Sequence, residues 1–428
     1  MDFARSSFLS QQSRTPSWWI GLFSMYMVFY GTISIYISNM FIRSIKDVML
    51  IVIVVICLGL LIKNKIVASQ HLILILYLLI AILTLGSIQI LSSLQPIEWM
   101  YGFKITFLPM CALLVGLYFS KRNIWGFIDQ LFLLIFIIVI LTWLIQYFIG
   151  MDALASLGFQ YGVNIKHFTN GFPRLPSIVG TPNAYALLLA LVGIYLEYSK
   201  MFQHTKNWRW SIKILTLVFI LLSTNRNAIV FWFICQLIML LWNARQYSYR
   251  RKLRMLSALF IISPIVTIIA FPILSNAGLF STHSLQARLV QWGMYLNPVT
   301  MADGVVGMGL GGVGAASRRL ADMSFTTLDY SVDNQYLAYY LQVGVVGTLF
   351  ILTFFGAILY NLWEGSHQHH YSKLVLTLFA GVLIPCFFAN VLEVFPFNVF
   401  LWFLVGLAWS HSVTNQRDHI SSVRETLT

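Results

Sequence analysis

Apolar blocks long enough to cross a bilayer follow one another along almost the whole chain, separated by short polar breaks. A transmembrane helix needs roughly 20 mostly apolar residues to cover about 30 Å of hydrocarbon, and helices satisfy their own backbone polar groups there. The pattern predicts twelve spans, with ten as the lower bound: 18–37, 48–62, 71–90, 103–119, 124–149, 177–197, 212–224, 227–243, 255–273, 335–360, 374–391 and 395–410. The second and seventh are short, and the seventh suits a broken or tilted element. Porin-like barrels alternate apolar and polar positions over segments of about ten residues, a pattern not seen here. The expected fold is therefore all-α, a polytopic integral membrane protein forming one domain over residues 1–428.

Two polar intervals are too long to be plain connections between helices, which usually take about two to eight residues. One covers 150–176, and the other, 274–334, is the longest polar stretch in the chain. Both alternate in position so as to fall on the same side of the membrane as each other. Long loops that fold over a membrane domain are places where sites are built.

Composition agrees with a bilayer environment: 59% of residues are hydrophobic, only 10% are charged, and there are 33 Phe and 13 Trp. An ordinary soluble domain carries about 25% charged residues. Residues 1–17 are polar and the first apolar block is of spanning length, so the first helix is expected to serve as its own targeting signal. With the N-terminus in the cytoplasm, eighteen of the 27 Lys and Arg fall on the cytoplasmic side, as the positive-inside rule requires. The C-terminus is then cytoplasmic too. The formal net charge of +13 is a topology signal and does not call for nucleic acid. The cluster RQYSYRRKLR at 245–254 reads as a juxtamembrane anchor on membrane lipid. Cys57, Cys111, Cys235 and Cys386 all lie in apolar blocks and read as small buried residues.

Against this background a few polar residues stand out. Arg174 precedes LPSIVGTPNAYALLLAL at the mouth of the sixth span, with Pro182 and Asn183 expected to bend that helix about two turns in. An interfacial arginine beside a structural kink is the plainer account. Arg226, in LLSTNRNAIVFW, sits where the seventh and eighth spans turn, near membrane depth, where a charge must face protein, water or an anion. Arg288 and Trp292, four residues apart in ARLVQWGMYLNPV, fall on one helical face, where Arg stacks on Trp or the pair anchors at the interface. GVVGMGLGGVG, from Gly304, lacks the βαβ context of a dinucleotide fingerprint and reads as backbone approaching a ligand or a helix, or as a hinge. Asp333 and Asn334 precede the tenth span and are good N-cap residues, or a carboxylate and amide that act on a hydroxyl.

Three arginines on one side describe an anion site, since guanidinium binds phosphate through paired hydrogen bonds and stays charged. Asp303, Asp322, Asp329 and Asp333 are scattered rather than clustered for a divalent metal, so that if a diphosphate leaving group is stabilised here, arginine is the expected device.

The order of these motifs resembles the bacterial O-antigen ligase and O-antigen polymerase superfamily of membrane glycosyltransferases. The matching pieces are RLPSIVGTPNAYALLLAL from Arg174, LLSTNRNAIV around Arg226, ARLVQWGMYL followed by GMGLGGVG, and SVDNQYLAYYLQVGVVGTL from Ser331, spanning roughly 172–350. The resemblance implies a metal-independent, cofactor-free enzyme in the bacterial inner membrane, taking undecaprenyl diphosphate-linked glycan as donor and acceptor on the periplasmic or external face. It implies that Arg174, Arg226 and Arg288 hold the donor diphosphate, and that Asp333 with Asn334, aided by Arg288, positions or activates the acceptor hydroxyl. Ligases of the superfamily typically carry histidine where this chain has Asp333. That favours a polymerase of O-antigen, capsule or exopolysaccharide repeats, working beside a flippase and a chain-length regulator, over a ligase or oligosaccharyltransferase acting on a lipid or protein. A polysaccharide transporter is the rival from another class, but no internal repeat is evident and the polar residues concentrate in the loops.

Overall fold

Residues with no charge on any face can be helical and stable only where every face meets protein or lipid, and both situations occur here. The computed structural model describes residues 18–37, 40–63, 70–91, 94–120, 124–167, 173–244, 301–314, 316–317 and 332–409, with single positions at 290, 292–294 and 296. Its elements in chain order are α1 (Trp18–Tyr36), α2 (Met40–Lys63), α3 (Gln70–Ser87), α4 (Pro96–Ser120), α5 (Trp125–Ile149), α6 (Met151–Ser156), the short strands β1 (Lys166–His167) and β2 (Pro173–Arg174), then α7 (Pro182–Tyr198), α8 (Lys206–Leu222), α9 (Arg226–Ala244), α10 (Met301–Val306), α11 (Gln335–Ser366), α12 (His370–Leu383) and α13 (Phe397–Trp409). Among the described residues seven helices are long and apolar enough to cross a membrane, and α9 and α13 are shorter apolar helices. The protein is all-α and embedded in a membrane.

Helix α7 is buried almost all round, from Pro182 to Glu197, and packs against α5, α8, α9 and α12. Around it, α2, α3, α5 and α8 turn apolar side chains such as Val55, Ile80, Leu141 and Trp208 outward. Such faces are stable in hydrocarbon and would be a large apolar patch in water. Small residues let the central helices meet. A Cβ on Gly116 of α4 would lie 2.1 Å from the Phe403 carbonyl oxygen of α13, and one on Gly406 1.9 Å from that of Leu113. Close backbone approach of this kind supplies the van der Waals contact that holds helices together in lipid. All four cysteines are free and buried, as their apolar settings suggested.

Several boundaries differ from the expected ones, each for a physical reason. Helix α2 begins at Met40 rather than at 48, because Lys46 and Asp47 are buried inside the bundle and need no polar loop. Helix α4 begins at Pro96 and passes through a π turn at Phe103–Phe107, which carries Lys104. The sixth span does not run from 177 with a bend at Pro182. Thr181 caps α7 and Pro182 stands in its first turn, where a missing N–H costs nothing, and the preceding Ser177–Val179 is a separate 3-10 turn. Helix α11 continues to Ser366 and kinks at Gly344, whose φ of 65° brings its Cα hydrogen side against the Val305 carbonyl. The expected span 255–273 lies outside the described residues.

The glycine run is not a free hinge. The Leu310 N–H donates to the Gly86 carbonyl at 3.0 Å, Met308 to Leu341 at 2.7 Å and Gly309 to Gln342 at 2.8 Å, so its backbone is fastened to α3 and α11. Of the readings open at the sequence level, close approach to neighbouring helices is the one the packing bears out.

Candidate functional site

One end of the bundle carries the long loop between α5 and α7, and here called the loop end, it gathers most of the residues of interest. That loop is drawn into the bundle by its own polar groups. Ser177 is fully buried, donates its hydroxyl to the Val139 carbonyl at 2.7 Å and accepts at its own carbonyl from Gln146 Nε2 at 2.9 Å. Thr32 Oγ1 donates to the Ile178 carbonyl at 2.6 Å, and Asn164 Nδ2 to that of Gly180 at 2.8 Å. With these backbone groups satisfied, the loop can sit between α1 and α5 instead of over the surface. Just before this buried turn, β1 and β2 form a two-residue hairpin that places Arg174 opposite Lys166.

Arg226 is the first residue of α9. The turn Ser223–Asn225 is tight: Thr224 has φ of 52°, the Asn225 N–H donates to Ser223 Oγ at 3.2 Å, and Asn225 Oδ1 caps α9 by accepting from the Ala228 N–H at 3.1 Å. Asn225 Nδ2 also donates to Asn183 Oδ1 at 2.5 Å, tying the first turn of α7 to the start of α9. Arg174 and Arg226 lie within electrostatic reach of each other. Burial, and then the charge of Arg226 beside it, push the Arg174 pKa below the ordinary arginine value. Two like charges held near each other at a partly buried position attract an anion with more than one oxygen to share.

The remaining expected site residues are Arg288, Asp333 and Asn334. Arg288 lies outside the described residues. Its neighbour Trp292 packs with Met308 against Val313, Val332 and Leu341, beside the glycine run and the first turns of α11. Asn334 is a buried N-cap whose side-chain oxygen accepts from the N–H groups of Tyr336 at 3.0 Å and Leu337 at 3.1 Å, so this oxygen is committed to α11. Asp333 stands exposed next to it.

The sequence reading missed a cavity of about 540 Å³ at the loop end, enclosed by α1, α2, α4, the 158–164 turn, the start of α7 and the 393–399 segment. Lys46, Asp47, Lys104 and Glu393 line it. Asp47 pairs with Lys46 and, at 2.8 Å, with Lys104. The Lys46 ammonium also lies 4.9 Å from the centre of the Tyr30 ring and 4.5 Å from that of Phe395. Glu393 Oε1 accepts from Thr106 Oγ1 at 2.9 Å and from Gln335 Nε2 at 3.2 Å, which joins the cavity wall to α11 one residue past Asn334. Gly180 and Thr181 line it too, two residues before Asn183. The missed signal was a charge at the edge of an apolar run, in IRSIKDVML, or inside one, in YGFKITF and NVLEVFPF, which in a membrane protein marks a functional position by default.

No protein-family model matches the chain, and no curated protein matches it.

Proposed function

We propose that this chain is a membrane glycosyltransferase that joins undecaprenyl diphosphate-linked oligosaccharide repeats into O-antigen, capsular or exopolysaccharide. The observation that carries the reading is that Arg174, in β2 just before the buried loop, is itself partly buried and lies within electrostatic reach of Arg226, the first residue of α9. In the reaction the bond between the donor sugar and its diphosphate breaks, a hydroxyl of the acceptor glycan bonds to the freed sugar carbon, and the hydroxyl proton passes to a carboxylate. Negative charge grows on the departing lipid diphosphate, and the two guanidinium groups stabilise it more strongly in the transition state than in the ground state. On this reading arginine does what a divalent cation does in other phosphate sites, Arg288 joins the pair from the 274–334 interval, and Asp333 is the exposed carboxylate beside the acceptor.

The twelve-span topology belongs to the same proposal: with both termini in the cytoplasm of the bacterial inner membrane, the loop end faces the periplasm or exterior. Purified protein supplied with lipid-linked repeat units tests it. Wild-type protein should build a ladder of lengthened glycan, and Arg226→Ala or Arg174→Ala should slow lengthening on the order of 10²- to 10³-fold. Wild-type rates in both variants, or transfer of preformed glycan without lengthening, would defeat the assignment.

A further inference from the structure

The cavity at the loop end differs in kind from the arginine pair beside it. Its described charged lining residues balance, Lys46 and Lys104 against Asp47 and Glu393, whereas Arg174 and Arg226 have the same sign. A charge-balanced wall has no preference for an anion. An apolar occupant would strip water from four charged groups and return no hydrogen bonds, which is costly. A ligand that both donates and accepts through many small groups loses nothing there, and a hydroxyl is such a group. The same wall carries three aromatic rings, Tyr30, Tyr101 and Phe395, and Lys104 lies 5.4 Å from the Tyr101 ring centre. Flat apolar faces next to bidentate polar groups suit a pyranose ring, which has C–H groups on its faces and hydroxyls around its edge. The volume of about 540 Å³ falls in the range of about 300 to 1,000 Å³ typical of small-ligand sites.

We infer that this cavity binds neutral sugar rings, and that the Lys46–Asp47–Lys104 cluster and Glu393 hold their hydroxyls. This rests on the reading of the arginine pair as the diphosphate site, because it assigns the uncharged glycan part of the same substrate to the adjoining space. The geometry links the two. Thr181 on the cavity wall caps α7, Asn183 in the first turn of that helix bonds Asn225, and Arg226 follows. Glu393, held by Thr106 and Gln335, lines the same space. Neither Glu393 nor the lysine cluster needs to touch the diphosphate for this assignment.

The test uses the full chain in lipid nanodiscs and saturation-transfer NMR with gluco-, galacto- and manno-configured neutral trisaccharides, trigalacturonate and, separately, inorganic pyrophosphate. At least one neutral trisaccharide should bind the wild-type protein. Lys104→Met should weaken that binding at least tenfold. Val163→Trp should do the same, since Val163 lines the cavity from an exposed turn where a larger side chain leaves the core untouched. Trigalacturonate should bind no more tightly than its neutral counterpart. Absence of binding by every neutral sugar, binding unchanged in both variants, or a clear preference for trigalacturonate would each overturn the inference. Arg174→Ala combined with Arg226→Ala separates the two readings: it should abolish pyrophosphate binding and leave the trisaccharide in place. If pyrophosphate still binds, the diphosphate assignment falls while the loss of sugar in Lys104→Met still locates the sugar.

Discussion

Two buried carboxylates, at opposite ends of the bundle, do different things with their oxygens. Asp129 of α5 accepts the Tyr195 hydroxyl of α7 on one oxygen and the Tyr371 hydroxyl of α12 on the other, each at 2.7 Å. Trp125 closes the site by stacking on Tyr371, with ring centres 4.2 Å apart and planes 3° from parallel. Glu393, also buried, is held by Thr106 and Gln335 but lies on the wall of a cavity. Both are charges in a membrane protein, and charge alone nominates both as functional. What separates them is enclosure. The Asp129 oxygens are both occupied by the helices they join, so the group acts as a clamp, whereas Glu393 and the nearby Asp47 border space that a substrate can enter. Glu197 follows the clamp pattern, paired with Lys213 at 3.4 Å and bonded by Gln236.

The sharpest way to break this comparison is to remove the clamp. Asp129→Ala leaves two buried tyrosine hydroxyls without their acceptor, at about 1–3 kcal/mol each, so the folded state should lose about 2–6 kcal/mol in all. Thermal unfolding in detergent, followed by tryptophan fluorescence, should show the midpoint falling by several degrees. An Asp129→Ala protein as stable as the wild type but unable to lengthen glycan would place Asp129 in the chemistry and undo the distinction.

The sequence made the bundle legible because the hydrophobic pattern is strong and the bilayer fixes the length of each element. It also singled out Arg174 and Arg226, since a lone cation near an apolar run is conspicuous wherever its partner lies. The cavity was not legible for the opposite reason. Lys46 and Asp47 sit at the edge of an apolar block and read as loop, so the predicted span began just after them, at 48. Lys104 and Glu393 lie inside apolar blocks, but what makes them a site is which helix each meets. Thr106 and Glu393 are 287 positions apart, and no local pattern announces that contact. The same limit applied to Asn334, where helix capping and substrate binding ask for the same residue, and to the glycine run, where a hinge and a close helix contact ask for the same lack of a side chain. In both cases the neighbours decided.

Smaller perturbations sharpen the contrast. Tyr371→Phe keeps the ring stacked on Trp125 and removes one hydrogen bond to Asp129, so it should cost about 1–2 kcal/mol, measured by the same unfolding assay. A loss as large as that of Asp129→Ala would show that Tyr195 holds the carboxylate only when Tyr371 does.

Lys104→Met should have the smallest effect on stability. The Lys104 side chain keeps 22% of its exposure, and Asp47 retains Lys46 as its partner when Lys104 is gone. An ion pair that borders water contributes less than about 1 kcal/mol after the entropy of holding the lysine and screening by solvent are counted. Methionine keeps the apolar stem that packs beside Tyr101, so little packing is lost. The unfolding midpoint should therefore stay close to that of the wild type while sugar binding falls. A loss comparable to that of Asp129→Ala would mean that the Lys46–Asp47–Lys104 cluster is a second clamp, and the difference between the two ends of the bundle would then be one of position rather than of purpose.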